Sequence, residues 1–563
     1  MNRFLKSCLM LGVFESLVVC PMMASAQVTG PADAGRVENR IKIIPPVHTM
    51  KALPRIGGKV ESQSAPLGSD QITFVLKGIQ LKGGEDISDG KIQSAYAEFI
   101  NQKISLDKVW LIASRITNIL QNEGYFLSRV YVPQQEINDG TIHLTVVEGY
   151  ISEVNLDEQA KNNHFVSEWI NRIINQKPVR IKDVESFLLR LNDLPGGSYR
   201  AVLELPLDKN APEGATRISI LSVPQKIKGR TTIDNFGSRY LGPVEITQQV
   251  SAFLIPNQRT DLTFLSAIPA SELKYGGITQ NITLGYSFGM DLSASLTGAH
   301  PGYTLKVQNI INQSQNYGLG FTFYPIRQRD ENLSFRLGYE GRDVDSKILE
   351  DIPLTKDHIR MIRASANYQK QDSSGGYNLG DIILSHGLSL FGASDVGDAD
   401  LSRSQAKPDS KKVEASYSRI QTLPYNFSGV VSLSGQWASA PLHASEEFGF
   451  GGQNFGRAYD SSEITGDSGV ASSFELRYQG LPSRYNISVM PYMFYDIGKV
   501  WNKDRGSEAP VSASSTGAGF RVATDIGLNA NLGFAVPLTR DISTPLNGHK
   551  QGPRYMFQMS YDF

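Results

Sequence analysis

An arginine in a glycine-rich loop and an aspartate in a later strand are the residues with the clearest chemistry. The loop, residues 448–460, contains one arginine, Arg457, among apolar and aromatic neighbours, and its glycines permit an unusual backbone path. Asp496 lies in a segment, residues 485–498, whose odd-numbered positions are mostly large and apolar. The aspartate occupies the opposite phase, and a carboxylate held away from water needs a partner. Arg457 on an inward-folded loop would supply two parallel charge-assisted hydrogen bonds.

Catalytic and metal chemistry find little support in the sequence. The eight histidines are scattered, with no pair at metal-ligand spacing: His48, His143, His164, His300, His358, His386, His443 and His549. No Walker-type phosphate loop occurs. We therefore predict no enzyme, catalytic residue, cofactor or metal, with a lipase or protease left as an open alternative. Lys and Arg total 55 and Asp and Glu total 56, so the balanced charge predicts no nucleic-acid partner.

The first 26 residues have the features of a secretory signal peptide. Arg3 and Lys6 form a positive start, residues 8–23 are largely apolar, and Ala24-Ser-Ala26 is a small-residue cleavage pattern. Residues 1–26 are therefore expected to be removed, and the mature chain is expected beyond the inner membrane.

The next segment, residues 27–70, is predicted to be a linker. It is rich in proline, glycine and serine, and one short helix is predicted over residues 31–41. Both cysteines of the chain, Cys8 and Cys20, precede this linker. The mature protein is therefore predicted to have no disulfide and no thiolate metal site, while acylation at Cys20 stays an alternative.

Residues 71–150 and 151–225 are predicted to be two compact α/β modules. In the first, Ile72–Ile79 reads as one strand, and apolar residues recur at helical spacing from Val109 to Leu120. A turn signal at Asn138–Gly140 then separates two further strands. Both modules have the order strand, helix, helix, strand, strand. They form an internal repeat of about 75 residues, although their sequences differ.

From residue 226 to residue 563, alternation replaces the helical period. In the last segment, odd positions from Tyr555 to Phe563 are apolar or aromatic and the even positions are mostly polar. Similar patterns are found in residues 282–289, 333–340 and 470–478. A soluble sandwich would bury the apolar face, whereas a membrane barrel turns it toward lipid and lines a lumen with the polar face. The signal peptide, the many Tyr and Phe residues and the terminal aromatic favour a barrel in the bacterial outer membrane.

A barrel must close, because lipid leaves no partner for an unpaired strand edge. At about ten residues per strand, the segment 226–563 holds sixteen antiparallel strands, and fourteen or eighteen stay open. Four intervals are too polar or irregular to lie in lipid and are predicted to lie outside it or inside the pore: residues 341–360, 392–412, 436–468 and 502–514.

Two short motifs, Phe494-Tyr-Asp-Ile-Gly498 and Gly456-Arg-Ala-Tyr459, resemble those of the TpsB-type transporters of two-partner secretion, relatives of the barrel-assembly protein BamA. Phe494-Tyr-Asp-Ile-Gly498 matches the Phe-x-Asp-x-Gly strand motif of that family. Gly456-Arg-Ala-Tyr459 is similar to the superfamily's Val-Arg-Gly-Tyr/Phe loop tip, although Gly456 and Ala458 depart from it. The two modules resemble POTRA domains, and residues 31–41 are similar to the helix that plugs the pore in resting family members.

The resemblance implies several site residues. Arg457 and Asp496 would form a lock between the loop and the barrel wall. The remaining residues would be a loop motif of Gly451, Gly452, Gly456, Tyr459 and Asp460, a barrel motif of Phe494 and Gly498, and a C-terminal assembly signal of Tyr561 and Phe563.

The resemblance also implies the function and the partners. The POTRA domains, in the periplasm, would bind an unfolded exoprotein, and the barrel would secrete it. Further partners would be outer-membrane lipids and, during biogenesis, the barrel-assembly machinery. One alternative is an insertase of the BamA type, in which five POTRA modules would be usual. A passive porin is the other alternative and would lack the N-terminal modules.

Overall fold

The computed structural model describes residues 30–41, 63–84, 89–137, 139–208, 210–483, 486–504, 509–543 and 549–563. The predicted signal peptide, residues 1–26, and residues 42–62 of the linker lie outside the described residues. Among the helices in the described ranges, none has the length and apolar character needed to cross a membrane.

The first described part, residues 30–41, is called here the N-terminal segment. It consists of two 3-10 turns, Gly30–Ala32 and Ala34–Arg36, followed by the short helix α1 (Val37–Ile41). The side chain of Asp33 accepts a hydrogen bond of 2.8 Å from the backbone N–H of Gly35 and so caps the second turn.

The first α/β module has seven elements around one apolar core. They are β1 (Thr73–Val75), β2 (Gly78–Lys82), α2 (Asp89–Ser94), β3 (Lys103–Ser105), α3 (Asp107–Asn122), β4 (Arg129–Tyr131) and β5 (Thr141–Val147). The apolar stripe of α3 is buried at Val109, Ile112, Ala113, Ile116 and Leu120. The sheet order is β2-β5-β4, in which β2 and β5 are parallel, while β1 pairs with β3.

The prediction of one strand over Ile72–Ile79 is wrong. The chain changes partner at Leu76, whose N–H donates to Gln102, whereas the N–H of Lys77 donates to Gly140. Leu76 is fully buried in the module core. Since the two halves pair with different strands, β1 and β2 are separate elements, which alternation in the sequence cannot distinguish.

The second module repeats this arrangement. It comprises β6 (Tyr150–Leu156), α4 (Glu158–Lys161), α5 (His164–Trp169), α6 (Ile181–Asp193), β7 (Gly197–Glu204) and β8 (Ala215–Pro224). Its sheet order is β6-β8-β7, with β6 parallel to β8 and β7 antiparallel to it. In both modules the last strand is central, so the predicted repeat is a repeat of topology.

A closed barrel follows directly after the second module. Sixteen strands form it within the described residues, and all neighbouring pairs are antiparallel, as predicted. The strands are β9 (Ile227–Asp234), β10 (Val244–Ala252), β11 (Gln258–Ile268), β12 (Leu273–Thr283), β13 (Phe288–Ala299), β14 (Ile311–Arg327), β15 (Glu331–Ile348), β16 (Ile352–Gln371), β17 (Gly376–Gly387), β18 (Lys411–Thr422), β19 (Phe427–Ala438), β22 (Ser468–Tyr478), β23 (Ile487–Trp501), β24 (Val511–Thr524), β25 (Leu528–Pro537) and β26 (Arg554–Asp562). Two short strands, β20 (Phe448–Phe450) and β21 (Ile464–Gly466), form a separate hairpin between β19 and β22.

The barrel exposes apolar side chains on its outer surface. Phe264, Phe321, Phe335, Phe520 and Tyr555 are all more than one third exposed there. Inward positions carry polar residues or contact the segments inside the lumen. A soluble protein would cover so large an apolar surface, so this alternation fits a barrel that faces lipid.

Two sequence predictions about strand positions are wrong. Residues 282–289 do not form one strand, because Leu284–Ser287 turn the chain from β12 into β13. Residues 341–360 are not a loop, because β15 and β16 stay paired as far as Ile348 and Ile352. Polarity alone predicted a loop there, whereas the pairing extends this hairpin as continuous strands.

The second module packs against the turns at the end of the barrel where β9 begins, called here the module end. The ring of Trp169 meets that of Tyr286 edge-on, at 5.1 Å between centroids. Buried Arg190 donates hydrogen bonds to the carbonyls of Tyr286 and Tyr324, at 2.7 and 2.9 Å. These contacts join the helices of the module to the turn between β12 and β13 and to the end of β14.

Candidate functional site

The glycine-rich loop of residues 448–460, called here the inward loop, folds into the barrel. It begins with β20, and β21 follows it along the chain before the main sheet resumes at β22. Phe450 and Tyr459 are fully buried, in one apolar cluster with Phe494 of β23 and Met556 of β26. The loop therefore lies against the lumen wall rather than in solvent.

Arg457 and Asp496, the pair singled out from the sequence, are in contact. The Nε and Nη2 atoms of Arg457 donate to the two carboxylate oxygens of Asp496, at 3.0 and 2.9 Å. The backbone N–H of Arg457 donates to the same carboxylate at 3.1 Å. Asp496 is fully buried, and the guanidinium lies 3.5 Å from the centre of the Phe494 ring. A planar cation is thus held by a two-pronged hydrogen bond and by an aromatic face.

Two residues of β22 complete this contact, and neither was predicted from the sequence to take part in it. Glu475 accepts a hydrogen bond of 2.7 Å from Arg457 Nη1. The hydroxyl of Ser473 accepts from Arg457 at 2.8 Å and donates to Asp496 at 2.8 Å. Both lie on the inward phase of β22, so alternation places them in the lumen. Their pairing with the loop depends on how far the loop reaches, which no local pattern specifies.

Two glycines allow the inward loop to pack closely on the wall. A Cβ at Gly456 would lie 2.6 Å from the Phe450 ring, and Gly456 has φ +74. A Cβ at Gly498 would lie 2.2 Å from the other edge of that ring. The Phe450 ring therefore fits between the loop tip and β23 only because both positions lack a side chain. This gives a physical reason for glycine at 456, where the family tip usually has valine.

The other loop-motif residues hold the base of the inward loop. The Tyr459 hydroxyl lies 3.0 Å from the carbonyl oxygens of both Ser514 and Arg540. Arg554 of β26 donates to the carbonyl of Tyr459 at 2.6 Å and pairs with Asp460 at 3.1 Å. Gly451 and Gly452 have positive φ angles of 122 and 104. Arg554 was placed on the polar phase of the last strand, but its loop contact was not predicted.

The N-terminal segment also lies inside the barrel. Residues 31–38 are buried, and the carbonyls of Pro31 and Ala32 accept hydrogen bonds from Ser238 and Asn312, at 2.6 and 3.1 Å. Ala34 and Val37 pack against inward apolar residues of β11 and β12. A chain segment far from the barrel in sequence thus occupies part of its lumen.

Arg36 connects the N-terminal segment to residues just before and just after the inward loop. Its guanidinium donates to the carbonyls of Ala444 and Glu447, at 2.7 and 2.9 Å, and to the hydroxyl of Ser462 at 3.2 Å. Arg40, one turn later, pairs with Glu245 of β10 at 2.7 Å. Most of these contacts are polar, so water can replace them when the segment moves.

The C-terminal residues close the barrel against β9. Gly229 and Phe563 exchange two backbone hydrogen bonds, of 2.9 and 3.0 Å. Arg230 and Asp562 form a bidentate ion pair beside them, at 2.5 and 3.0 Å. Tyr561 and Phe563 are about half exposed on the outer surface, with their rings stacked at 6.2 Å.

The residues that the structure describes form neither a metal-holding group nor a nucleophile elbow. In the described ranges no three His, Cys, Asp or Glu side chains are grouped so as to hold a metal ion. The sequence Gly285–Gly289 has the Gly-x-Ser-x-Gly letters of a nucleophile elbow. An elbow needs a strand-to-helix turn, whereas Ser287 lies in the turn between two barrel strands.

The comparison with protein families agrees with the resemblance seen in the motifs. A family model described as haemolysin secretion/activation protein ShlB/FhaC/HecB matches residues 214–522, more than half of the chain. The chain belongs to this family. The model of the ShlB-type POTRA domain matches residues 74–149, which run from within β1 to just beyond the end of β5 in the first module. As a ShlB/FhaC/HecB family member, the protein is an outer-membrane transporter of two-partner secretion, with POTRA domains in the periplasm.

Individual relatives are distant in sequence and similar over most of their length. The heme/hemopexin transporter protein HuxB of Haemophilus influenzae is 23% identical over 497 residues, which cover 84% of this chain and 85% of HuxB. Among solved structures, CdiB from Escherichia coli superposes with a TM-score of 0.66 at 16% identity, over 90% of this chain and 94% of CdiB. BamA from Haemophilus ducreyi lacking POTRA domains 1–3 gives a TM-score of 0.51 at 12% identity, over 87% and 100% of the two chains. The barrel fold is thus shared with BamA, and the family match points to the secretion branch.

Proposed function

We propose that this protein binds one unfolded exoprotein in the periplasm and secretes it through its barrel, in which the N-terminal segment and the inward loop close the pore at rest. The observation that carries the proposal is the content of the lumen. Two segments occupy part of it, and each is attached by hydrogen bonds and ion pairs, as at Arg36 and Arg457. A passive porin would not need segments in its lumen that can move out of the pore. We propose that both segments leave the path of the exported chain.

The second module offers an edge to which an exoprotein strand can add. Strand β7 pairs with β8 on one side only, among the described residues. The side-chain amide of Asn192 forms hydrogen bonds of 2.9 Å with both the backbone N–H and the carbonyl of Tyr199. The part of the β7 edge that is left for an added strand therefore runs from Arg200 to Glu204. Val202 in this stretch is 44% exposed. Edge addition would supply main-chain hydrogen bonds to an extended chain whatever its sequence, with the exposed valine adding apolar contact.

The direction of transport needs no bound nucleotide in this scheme. The chain has no Walker-type loop, and the periplasm contains no ATP, so the free energy must come from the cargo. Folding of the exoprotein outside the cell would prevent its return through the lumen. The exported chain would pass as an extended hairpin once the N-terminal segment has left.

Two further partners follow from the outer surface. The exposed aromatic and apolar residues of the strands would contact outer-membrane lipids. Tyr561 and Phe563, which project from the closing strand, would be read by the barrel-assembly machinery during biogenesis. Replacement of Phe563 by serine should then lower the amount of assembled barrel, measured as the heat-modifiable form on a gel.

Deletion of residues 71–224 tests the docking step. We expect the shortened chain to assemble in the outer membrane but to secrete none of its partner exoprotein. Unimpaired secretion would contradict the role of the modules. The levels of other outer-membrane proteins should not change when the whole gene is deleted, and a general fall in them would favour the insertase function instead.

A point substitution tests the proposed edge. Val202→Asp places a charge on the free edge of β7 and should reduce secretion by at least about tenfold, because a desolvated carboxylate opposes apolar docking. Leu111→Asp is the matched control, since Leu111 on α3 is 40% exposed and lies away from the edge. Equal effects of the two substitutions would contradict the edge.

A further inference from the structure

A cavity of about 460 Å³ lies beside the inward loop, toward the module end of the barrel. Its walls come from β19 and from strands β22 to β26, and its roof includes Gln453, Asn454 and Arg457 of the inward loop. The lining includes Arg477, Ala523 and Asn529, each within two residues of the module end of its strand. An exported chain that enters from the periplasm would therefore meet this cavity early.

The charges of the cavity do not balance. Its charged lining residues are Arg457, Arg477, Arg521 and Glu475. Glu475 accepts hydrogen bonds from all three arginines, with Nε of Arg477 at 2.6 Å and Nη1 of Arg521 at 2.6 Å. Asp496 compensates Arg457 from behind the lining. Three guanidinium groups thus face two carboxylates, and one positive charge is left over.

Hydrogen-bond donors accompany this surplus charge. Arg477 donates to Glu475 through Nε, and its two terminal nitrogens have no acceptor among the described residues. The neutral part of the lining is rich in amides: Gln453, Asn454, Asn529, Asn531 and Gln558. Tyr492 adds an aromatic wall, with the guanidinium of Arg521 at 4.3 Å from its ring centre. The Arg477 side chain is 22% exposed, and surplus positive charge with free N–H donors in such a partly enclosed pocket favours an anionic oxygen ligand.

We propose that this cavity is an acceptor site for acidic side chains of the exported polypeptide, with Arg477 as its main contact residue. The proposal deepens the secretion function and rests on it. Glutamate and aspartate side chains would pair with the terminal nitrogens of Arg477, while the amides hold the neighbouring peptide groups. The surplus charge would favour segments rich in Asp and Glu over segments rich in Lys at the entrance to the lumen.

The site can be altered without leaving an unpaired carboxylate. Arg477→Gln removes the surplus charge, and Glu475 keeps its contacts with Arg457 and Arg521. Arg477→Lys keeps the charge. Arg336→Gln is the matched control, because Arg336 is an inward arginine of β15, on another part of the wall, and pairs with Asp291 at 2.7 Å.

The test is the binding of a fluorescent hexaglutamate peptide to the purified full chain in detergent, measured by anisotropy. We expect Arg477→Gln to weaken binding about tenfold, the equivalent of one charge-assisted contact. Arg477→Lys and Arg336→Gln should bind as the unaltered chain does, and hexalysine should not bind. Heat-modifiable migration on a gel establishes that each barrel is folded.

Several results would overturn the site. Unchanged peptide binding by Arg477→Gln would do so, and so would equal losses in Arg477→Gln and Arg336→Gln. Competition by inorganic phosphate at the same concentration as the peptide would show a site for small anions rather than for polypeptide. Secretion of the partner in cells is measured separately, so a chain that binds hexaglutamate but exports nothing would remove the secretion function and leave the site in place.

Discussion

Arg457 meets Asp496 through two side-chain hydrogen bonds of 2.9 and 3.0 Å, while its own backbone N–H donates to the same carboxylate. The two residues are 39 positions apart, one in the inward loop and the other in β23. Because Asp496 is fully buried, the contact is costly to break on one side only. It fixes the tip of the loop to one point on the lumen wall.

Arg457→Ala should leave the barrel assembled and slow secretion of the exoprotein. Loss of the guanidinium leaves the buried carboxylate of Asp496 without its cation, while Glu475 keeps Arg477 and Arg521, at a cost of about 3–5 kcal/mol to the docked loop. Secretion is measured by the exoprotein in the medium, and assembly by heat-modifiable migration. Arg239→Ala, which alters an arginine outside this contact, serves as a control for the loss of a positive charge. Full secretion by Arg457→Ala would leave the pair without a role in transport.

Loss of the contacts of Arg36 should raise the ionic conductance of the pore. Arg36→Ala removes three hydrogen bonds between the N-terminal segment and the loops around residues 444–462. The segment should leave the lumen more often, and the mean conductance in a planar bilayer should rise. Arg40→Ala removes the single ion pair to Glu245 and should have a smaller effect. If the conductance of Arg36→Ala stays at its original level, the segment does not restrict the pore.

We expect Arg403 to hold together the loops at the end of the barrel opposite the modules. Its buried guanidinium pairs with Asp467, with Asp504 at 2.6 Å and with Glu447 at 3.0 Å. Arg403→Ala leaves these carboxylates close together without a cation, so the three loops should separate. Hydrogen exchange of residues 388–410, 439–447 and 502–504 should become faster. Lys407→Ala, a substitution at an exposed position of the same loop, should leave the exchange rates unchanged. Equal rates in the two variants would contradict the role of Arg403 in holding the loops together.

We expect the contacts of the buried Arg190 to make the joint between the second module and the barrel rigid. Arg190→Ala removes its hydrogen bonds to the carbonyls of Tyr286 and Tyr324 and its cation–π contact with the Tyr286 ring. Spin labels on the module and on the barrel should then report a broader distance distribution. Lys182→Ala, at an exposed position of the same helix, is the control. A distribution unchanged by Arg190→Ala would mean that other contacts hold the joint.

We expect the local stability of the second module around Asp157 to depend on pH. Burial opposes its ionised form, but hydrogen bonds from Ser222 and Ala160 outweigh that effect and hold the pKa of Asp157 below its ordinary value. A lowered folded-state pKa means that its stabilisation is complete above the ordinary value and is lost as the pH falls through the folded-state pKa.

Hydrogen exchange in the full chain, corrected for the intrinsic effect of pH, measures this dependence. Protection of residues 157–161 should be constant from pH 7 to about pH 5 and fall below about pH 4. Asp157→Ala should weaken that protection by about 1–2 kcal/mol at pH 7 and make it insensitive to acid. Asp208→Ala, in the exposed loop before β8, is the control. Acid sensitivity that persists in Asp157→Ala would assign it to another group.

The inward and outward phases of the barrel were predicted from the sequence because strand periodicity is a local property. Side chains alternate every residue, so a few residues suffice to assign a face. Asp496, Glu475 and Arg554 all lie on the lumen side for that reason. The repeated order of elements in the two modules was predicted on the same basis. The single strand predicted over Ile72–Ile79 and the loop predicted over residues 341–360 were wrong. The partner that a strand chooses and the length over which two strands pair are not local properties.

The tertiary structure alone decided what fills the lumen. Arg36 meets Glu447 across more than 400 residues of sequence, and Arg457 and Arg521 of β24 meet Glu475 of β22 only because the strands curve around one cavity. No periodicity encodes these meetings, since they depend on how far a loop folds inward and on which wall it reaches. The sequence by itself determined a membrane barrel with an inward carboxylate, and it indicated an arginine in a glycine-rich loop as the partner of that carboxylate. Closure of the sheet, which brings distant strands around the same space, decided the rest.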